Sequence, residues 1–214
     1  MSRHPPDQDD SKRTVPPHTD PAQWDVIIED IRPASMLVLI SSAMSKSLRS
    51  QYTPEDIWQE TLAQAWSARE KHRWEGLTAF RAWIFEIARN RIRDAARSLD
   101  AMKRGGGRPA ARFSELASGR SRPTSSLFPS HSVTPSRILM HAERAAAIQK
   151  ALTALPPDLE AIVRMHLVEE LTMEVIAARL GISVSAAWRR FRKGSETYSR
   201  MLSDLTSSRI TRRK

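Results

Sequence analysis

Trp188, Arg189, Arg190, Arg192 and Lys193 crowd one short stretch near the C-terminus. Arginines so placed can pair bidentately with guanine in a DNA groove and neutralise phosphates. The surrounding segment, LTMEVIAARLGISVSAAWRRFRK from Leu171 to Lys193, reads as two short helices joined by a tight turn. Val175, Ile176 and Leu180 space the apolar face of the first helix. Ala177 is small where a second helix must cross closely, and Gly181 falls where the chain must turn with positive φ. Ser183 can cap the next helix by accepting an orphan backbone N–H. A helix-turn-helix places its second helix in the major groove. The plainer reading of the same residues is a solvated basic face on an ordinary helical hairpin.

Two further clusters are chemically suggestive. Thr53-Pro54-Glu55-Asp56 is a strong helix start, with a hydroxyl cap, proline in the first turn and acids near the positive end of the dipole. Ile57, Trp58, Thr61, Leu62, Ala65 and Trp66 then form a buried stripe. Downstream, Phe80, Trp83, Ile84, Ile87, Ala88 and Ile92 repeat at three and four, the mark of an amphipathic helix. The other side of that helix carries Arg81, Arg89, Arg91, Arg93 and Arg97.

These elements sit in a chain of 214 residues with a net charge of +10 and 40% hydrophobic content. A pI near 10.7 and a mean hydropathy of -0.46 accompany them. Such a charge favours a polyanionic partner, and nucleic acid fits best because the cations concentrate on particular segments. Cysteine is absent, which excludes disulfides and thiolate zinc sites. The six histidines are scattered, with no HExxH pair, P-loop or Gly-x-Ser-x-Gly elbow, so neither catalysis nor a bound metal or cofactor is expected. The N-terminus lacks the apolar core of a signal peptide, and the patch from Met36 to Ile40 is too short to span a bilayer. A soluble, cytoplasmic protein with no membrane insertion is expected.

The periodicities predict an all-α fold of two small helical domains joined by a flexible linker, the C-terminal one a helix-turn-helix. Residues 1–22 read as a disordered extension rich in Pro and charge. The first domain spans 23–99, with a helix starting at Pro33 and running through Met36, Leu37, Ile40, Ala43, Met44 and Leu48. Residues 100–135 read as a flexible basic linker of Gly, Pro, Ser and Arg, including Lys103, Arg104, Arg108 and Arg112. The second domain spans 136–205, with Leu159, Ile162, Val163, His166 and Leu167 as a buried stripe after Pro156-Pro157. Residues 206–214 form a basic tail.

EDIWQETLAQAW followed by FRAWIFEIARNRIRDAAR, and then ALTALPPDLEAIVRMHLVEELTMEVIAARLGIS, together resemble bacterial RNA polymerase sigma factors of the sigma-70 family. The likeness is greatest to the small extracytoplasmic-function class. It covers roughly residues 33–98 and 143–197. The resemblance implies that Asp56, Gln59 and Glu60 dock on the coiled coil of the largest core polymerase subunit. It implies that Arg89, Asn90, Arg91, Arg93 and Arg97 act at the promoter −10 element, in recognition and opening. It implies that Ser185, Ala186, Trp188, Arg189, Arg190, Arg192 and Lys193 read the −35 element. Asp94 more simply orients Arg97 or Arg91 by an i,i+3 pair. The loop from Arg73 to Thr78 is where the family builds a pocket for a flipped base, and the match there is too loose to name a residue.

This chain departs from the family at Ala186-Ala187, where Thr-Val is common, and at Gly194, where Ala is usual. The glycine should weaken the end of its helix by roughly 1 kcal/mol. Trp188 has two readings, outward against thymine methyls or sugar, or inward as core. Core polymerase and promoter DNA are the implied partners, with an anti-sigma protein left open. The competing class is a stand-alone helix-turn-helix regulator that binds duplex DNA as a dimer on a palindrome. Against it, a dimerisation domain has no need of Asn90 amid so many arginines beside a separate acidic box.

Overall fold

The computed structural model describes residues 16–103 and 134–211, with side chains up to residue 206. Most of the described residues are helical, and none lies in a strand. Helix α1 (Pro21–Asp30) starts on Asp20, whose carboxylate accepts the Ala22 N–H at 2.9 Å. This helix lies where the sequence reading named none, and its cause is packing: Trp24 within it and His18 just before it are completely buried. The ordered first block therefore begins before residue 22.

Helix α2 (Pro33–Ala43) buries Met36, Leu37, Val38 and Ile40. The expected run to Leu48 is interrupted. Met44 is extended, and Ser45 caps a short helix, α3 (Lys46–Arg49), by accepting the Leu48 N–H at 3.2 Å. Helix α4 (Pro54–Ala68) opens on a reciprocal capping box. The Thr53 hydroxyl accepts the Asp56 N–H, and the Asp56 carboxylate accepts the Thr53 N–H. A 3₁₀ turn (Arg69–Lys71) leads to the long helix α5 (Leu77–Lys103).

The second block holds α6 (Pro135–Thr153), capped by Thr134, then α7 (Pro157–Leu167), α8 (Met173–Leu180) and α9 (Val184–Thr211). The chain leaves α5 at Lys103, whose Nζ donates to Ser47 Oγ at 2.9 Å. The other expected linker cations, Arg104, Arg108 and Arg112, lie outside the described residues. Helix α9 continues past residue 205, where the sequence reading ends the domain, and reaches Thr211. Tyr198 is buried in the larger apolar cluster, and Met201, Leu202 and Leu205 pack against that cluster, which anchors this part of the helix.

Two apolar clusters hold the described residues together. The larger draws on α1, α2, α4 and α5 and continues into α6, α7 and α9. The smaller joins Ile162, Met173, Ile176, Ala177 and Ala187 inside the helix-turn-helix. The blocks therefore meet over a shared apolar surface, and α2 packs along α6. A buried cation, Arg81, crosses the seam with only 7% of its surface exposed. Its guanidinium donates to the carbonyls of Ile31 and Val168 and pairs with Glu170 at 3.0 Å. Burial pulls the Arg81 pKa below its ordinary value, Glu170 pushes back, and nearby Arg32 adds to the lowering. An arginine stays charged under such stress. His141 and Glu29 make a second link at 3.0 Å.

Candidate nucleic-acid interface

The helix-turn-helix is set by local rules that the sequence carries. Gly181 adopts φ 64, ψ 34 and ends α8, its N–H returning to the carbonyls of Ala177 and Ala178. Ser183 Oγ accepts the Ala186 N–H at 3.2 Å and starts α9. Ala187 is completely buried against Ile176 and Ala177, so a small residue sits where the two helices cross. Gly194 has a packing reason. A Cβ there would lie 2.8 Å from Val163 Cγ2 and 3.3 Å from Leu159 Cβ, so α9 can approach α7 only without a side chain. The helix continues through it, because the close approach offsets the intrinsic cost of glycine.

With Ala187 inward, the expected −35 set falls on the opposite side. Ser185, Arg189, Arg190, Arg192 and Lys193 are exposed, and Ala186 is half-buried. Among the described residues, none of these four cations forms an ion pair. Trp188 reconciles its two readings. It is 47% exposed, and its ring also meets Phe191 and His166, each at 6.0 Å between centroids.

Helix α5 presents a different surface. Arg89, Asn90, Arg93 and Arg97 are exposed, as expected of a nucleic-acid face. Each is already engaged on the helix. Glu86 pairs with Arg93 at 2.9 Å and with Arg89 at 3.5 Å. Asn90 Oδ1 accepts from Arg93, and Asp94 holds Arg97 at 3.3 Å, the i,i+3 pair that the spacing suggested.

Arg91 is the correction. The sequence groups it with the DNA-facing cations, yet it is only 6% exposed and its guanidinium rests on Glu60 of α4. At helical spacing Arg91 falls on the same side as Ile84, Ile87 and Ala88, toward α4. Of the expected docking box, Asp56 and Gln59 are exposed, while Glu60 is part-buried by the same pair. Asp56 also closes the capping box, whereas the Gln59 side chain has no hydrogen bond among the described residues.

An aromatic mount roots the start of α5, and the sequence reading missed it. Gly76 at φ 95 turns the chain into the helix. His72 stacks on Trp83 with 4.1 Å between centroids and 12° between planes, and His18 stacks on Trp74 at 5.4 Å and 13°. His18 Nε2 donates to the His72 carbonyl at 2.9 Å. Phe80 lies within 6.0 Å of His18, His72, Trp74 and Trp83. Burial lowers the His72 pKa below 6.5, His18 lowers it further, and Glu75 opposes them. The only sequence signal was the pairing of His72 with Trp74 in a polar stretch, since His18 is remote in the chain.

A basic helix-turn-helix and a second cationic helix on one helical scaffold have the character of a nucleic-acid-binding protein. Comparison with family models gives the family. Residues 35–101 match sigma-70 region 2, and residues 145–196 match sigma-70 region 4. Together the matches cover more than half of the chain, which belongs to the sigma-70 family of sigma factors, in its extracytoplasmic-function class. No curated protein matches the chain. Sigma-70 factors serve in promoter recognition, and that role follows for this chain. Among the described residues, no helix is long and apolar enough to cross a membrane.

Proposed function

We propose that this chain binds core RNA polymerase and directs both recognition and opening of promoters. Asp56, Gln59 and Glu60 on α4 form the docking edge for the coiled coil of the largest core subunit. Ser185, Ala186, Trp188, Arg189, Arg190, Arg192 and Lys193 on α9 meet the −35 element. Arg89, Asn90, Arg93 and Arg97 on α5 meet the −10 strand, with Arg91 acting behind them by tying α5 to Glu60. The observation that carries this reading is the placement of α4 directly against α5. The acidic edge repels DNA and suits a basic protein surface, while the cations of α5 face away from it. Opening a duplex without a nucleotide fuel requires capture of unstacked bases on a cationic surface. An exposed α5 beside its aromatic mount supports that role.

The docking assignment needs a variant that leaves the fold intact. Glu60→Lys would set a cation against buried Arg91 and unfold the α4–α5 contact whatever its effect on docking. Gln59→Lys avoids that, because the side chain is exposed and has no hydrogen bond among the described residues. The expected result is at least about tenfold weaker core binding, the cost of one like-charge contact in an interface. Transcription from a genomic fragment library with core polymerase is expected to give discrete new products that need both components. Unaltered core affinity in Gln59→Lys would overturn the docking edge. Palindrome binding by the chain alone, with no new transcripts, would replace the sigma reading with that of a dimeric regulator.

A further inference from the structure

Trp188 is the largest exposed apolar side chain at the helix-turn-helix, and Val184, one turn earlier on the same face of α9, is also exposed. Val184 has no hydrogen-bonding group and Trp188 has a single indole N–H donor, so neither can pair bidentately with a base edge in the way of Arg or Asn. Around them stand Arg189, Arg190, Arg192 and Lys193, all exposed and without acid partners among the described residues. That charge draws DNA to this face and leaves the two apolar groups inside the contact. The residues lie in the N-terminal part of the helix, the part a helix-turn-helix inserts among base edges.

The indole is also held in place. Phe191 and His166 meet its ring, and His166 meets Phe191 edge-on at 4.6 Å. The His166 Nδ1–H donates to the Leu171 carbonyl at 2.9 Å, which locks the imidazole from behind. A flexible exposed tryptophan would lose rotamer freedom on contact, whereas a braced one loses less.

We infer that Trp188, with Val184, reads thymine in the upstream element through the C5-methyl group, and that His166 is a positioning residue for that contact. The major groove offers one apolar feature, the thymine methyl, so an apolar reader amid cations selects T by burying it. This rests on the −35 assignment of α9 and deepens it: the cations supply affinity and the braced indole supplies base choice.

The test uses the full chain bound to core polymerase and duplexes that this complex enriches from a randomised pool. Each upstream thymine is replaced singly by deoxyuridine, which removes the methyl and leaves every hydrogen bond in place. Wild-type affinity is expected to fall about fourfold at one or more positions, the factor that one buried methyl group represents. Trp188→Ala should bind the thymine and uracil duplexes equally. His166→Ala should narrow the gap without changing the loss that Arg190→Ala causes. Arg190→Ala should weaken both duplexes in parallel. Enrichment of an Arg190-dependent upstream element with no sensitivity to deoxyuridine would overturn the inference and leave the −35 reading standing. A gap that persists in Trp188→Ala would also overturn it. Enriched duplexes with no upstream element would sink both. The wild-type comparison depends on no variant folding correctly.

Discussion

Helices α5 and α9 both carry rows of arginine, yet they hold them in opposite states. On α9, Arg189, Arg190, Arg192 and Lys193 stand without acid partners among the described residues. On α5, Glu86 serves Arg89 and Arg93, Asp94 serves Arg97, and Glu60 of α4 serves Arg91. A free cation gains a phosphate outright and releases counterions as it does so. A paired cation exchanges one anion for another and gains only the difference. On the proposed assignment, α9 presents cations ready to take up phosphate, whereas those of α5 must first exchange Glu86 or Asp94 for it. Sequence composition alone makes the two helices look alike.

The largest expected effect breaks the α9 side of that contrast. Arg190→Ala removes an exposed guanidinium that has no acid partner among the described residues. Binding to a mapped upstream element should weaken about ten- to a hundredfold, with the slope of log affinity against log salt reduced by about one. The equivalent change on α5, Arg93→Ala, should cost less, because the arginine leaves Glu86 as well as the DNA. Equal losses in filter-binding titrations would abolish the distinction.

Next in size is Gly194→Ala, which probes how α9 is seated. In an exposed helix this change would stabilise by about 1 kcal/mol. Here the new Cβ meets Val163 Cγ2 at 2.8 Å, on a completely buried, β-branched side chain that cannot swing aside. The sign should therefore reverse, to a loss of about 1–2 kcal/mol in urea unfolding. A gain in stability would show that α7 and α9 are packed less closely than described.

Glu86→Gln acts in the other direction and on the other helix. Releasing Arg89 and Arg93 should strengthen binding of single-stranded −10 DNA about two- to fivefold, the range that an exposed ion pair allows. The same variant should leave upstream duplex binding unaltered. Weaker single-strand binding would mean that Glu86 orients the arginines for DNA and does not compete with it.

Much of this arrangement was legible in the chain, and the failures have physical causes. Gly181, Ser183 and the Thr53–Asp56 box act within a few residues, so their roles could be read directly. Asp94 and Arg97 sit one turn apart, and their pairing was visible for the same reason. Arg91 failed because only a neighbouring helix makes its face interior, and its acid lies on α4. Helix α1 failed because a segment rich in Pro and Asp is ordered by burying Trp24 and His18 in a surface formed by later residues. The seam clamp at Arg81 joins residues from three separate segments. No periodicity records such a meeting. Gly194 was read for its helix propensity, whereas its meaning lies in Val163.

The smallest effect concerns the mount of α5. His72 stacks on Trp83, and burial together with His18 holds its pKa below the ordinary 6.5. The folded chain therefore binds a proton there less readily than the unfolded chain does. Its stabilising share is fully present above about pH 6.5 and is lost as pH falls through the lowered folded value. Lowering the pH from about 7.5 to about 5.5 should reduce the unfolding midpoint, with more protons bound by the unfolded state across that window. In His72→Phe, which keeps a ring against Trp83 and cannot titrate, that part of the pH dependence should vanish. Helix α9 offers a contrast at its base, since Gly194 and Val163 carry no titratable group. Single-strand binding by α5 should accordingly lose more on acidification in the wild type than in His72→Phe. An identical acid response in the two proteins would remove His72 from the mount and leave Trp74, Phe80 and Trp83 as its working parts.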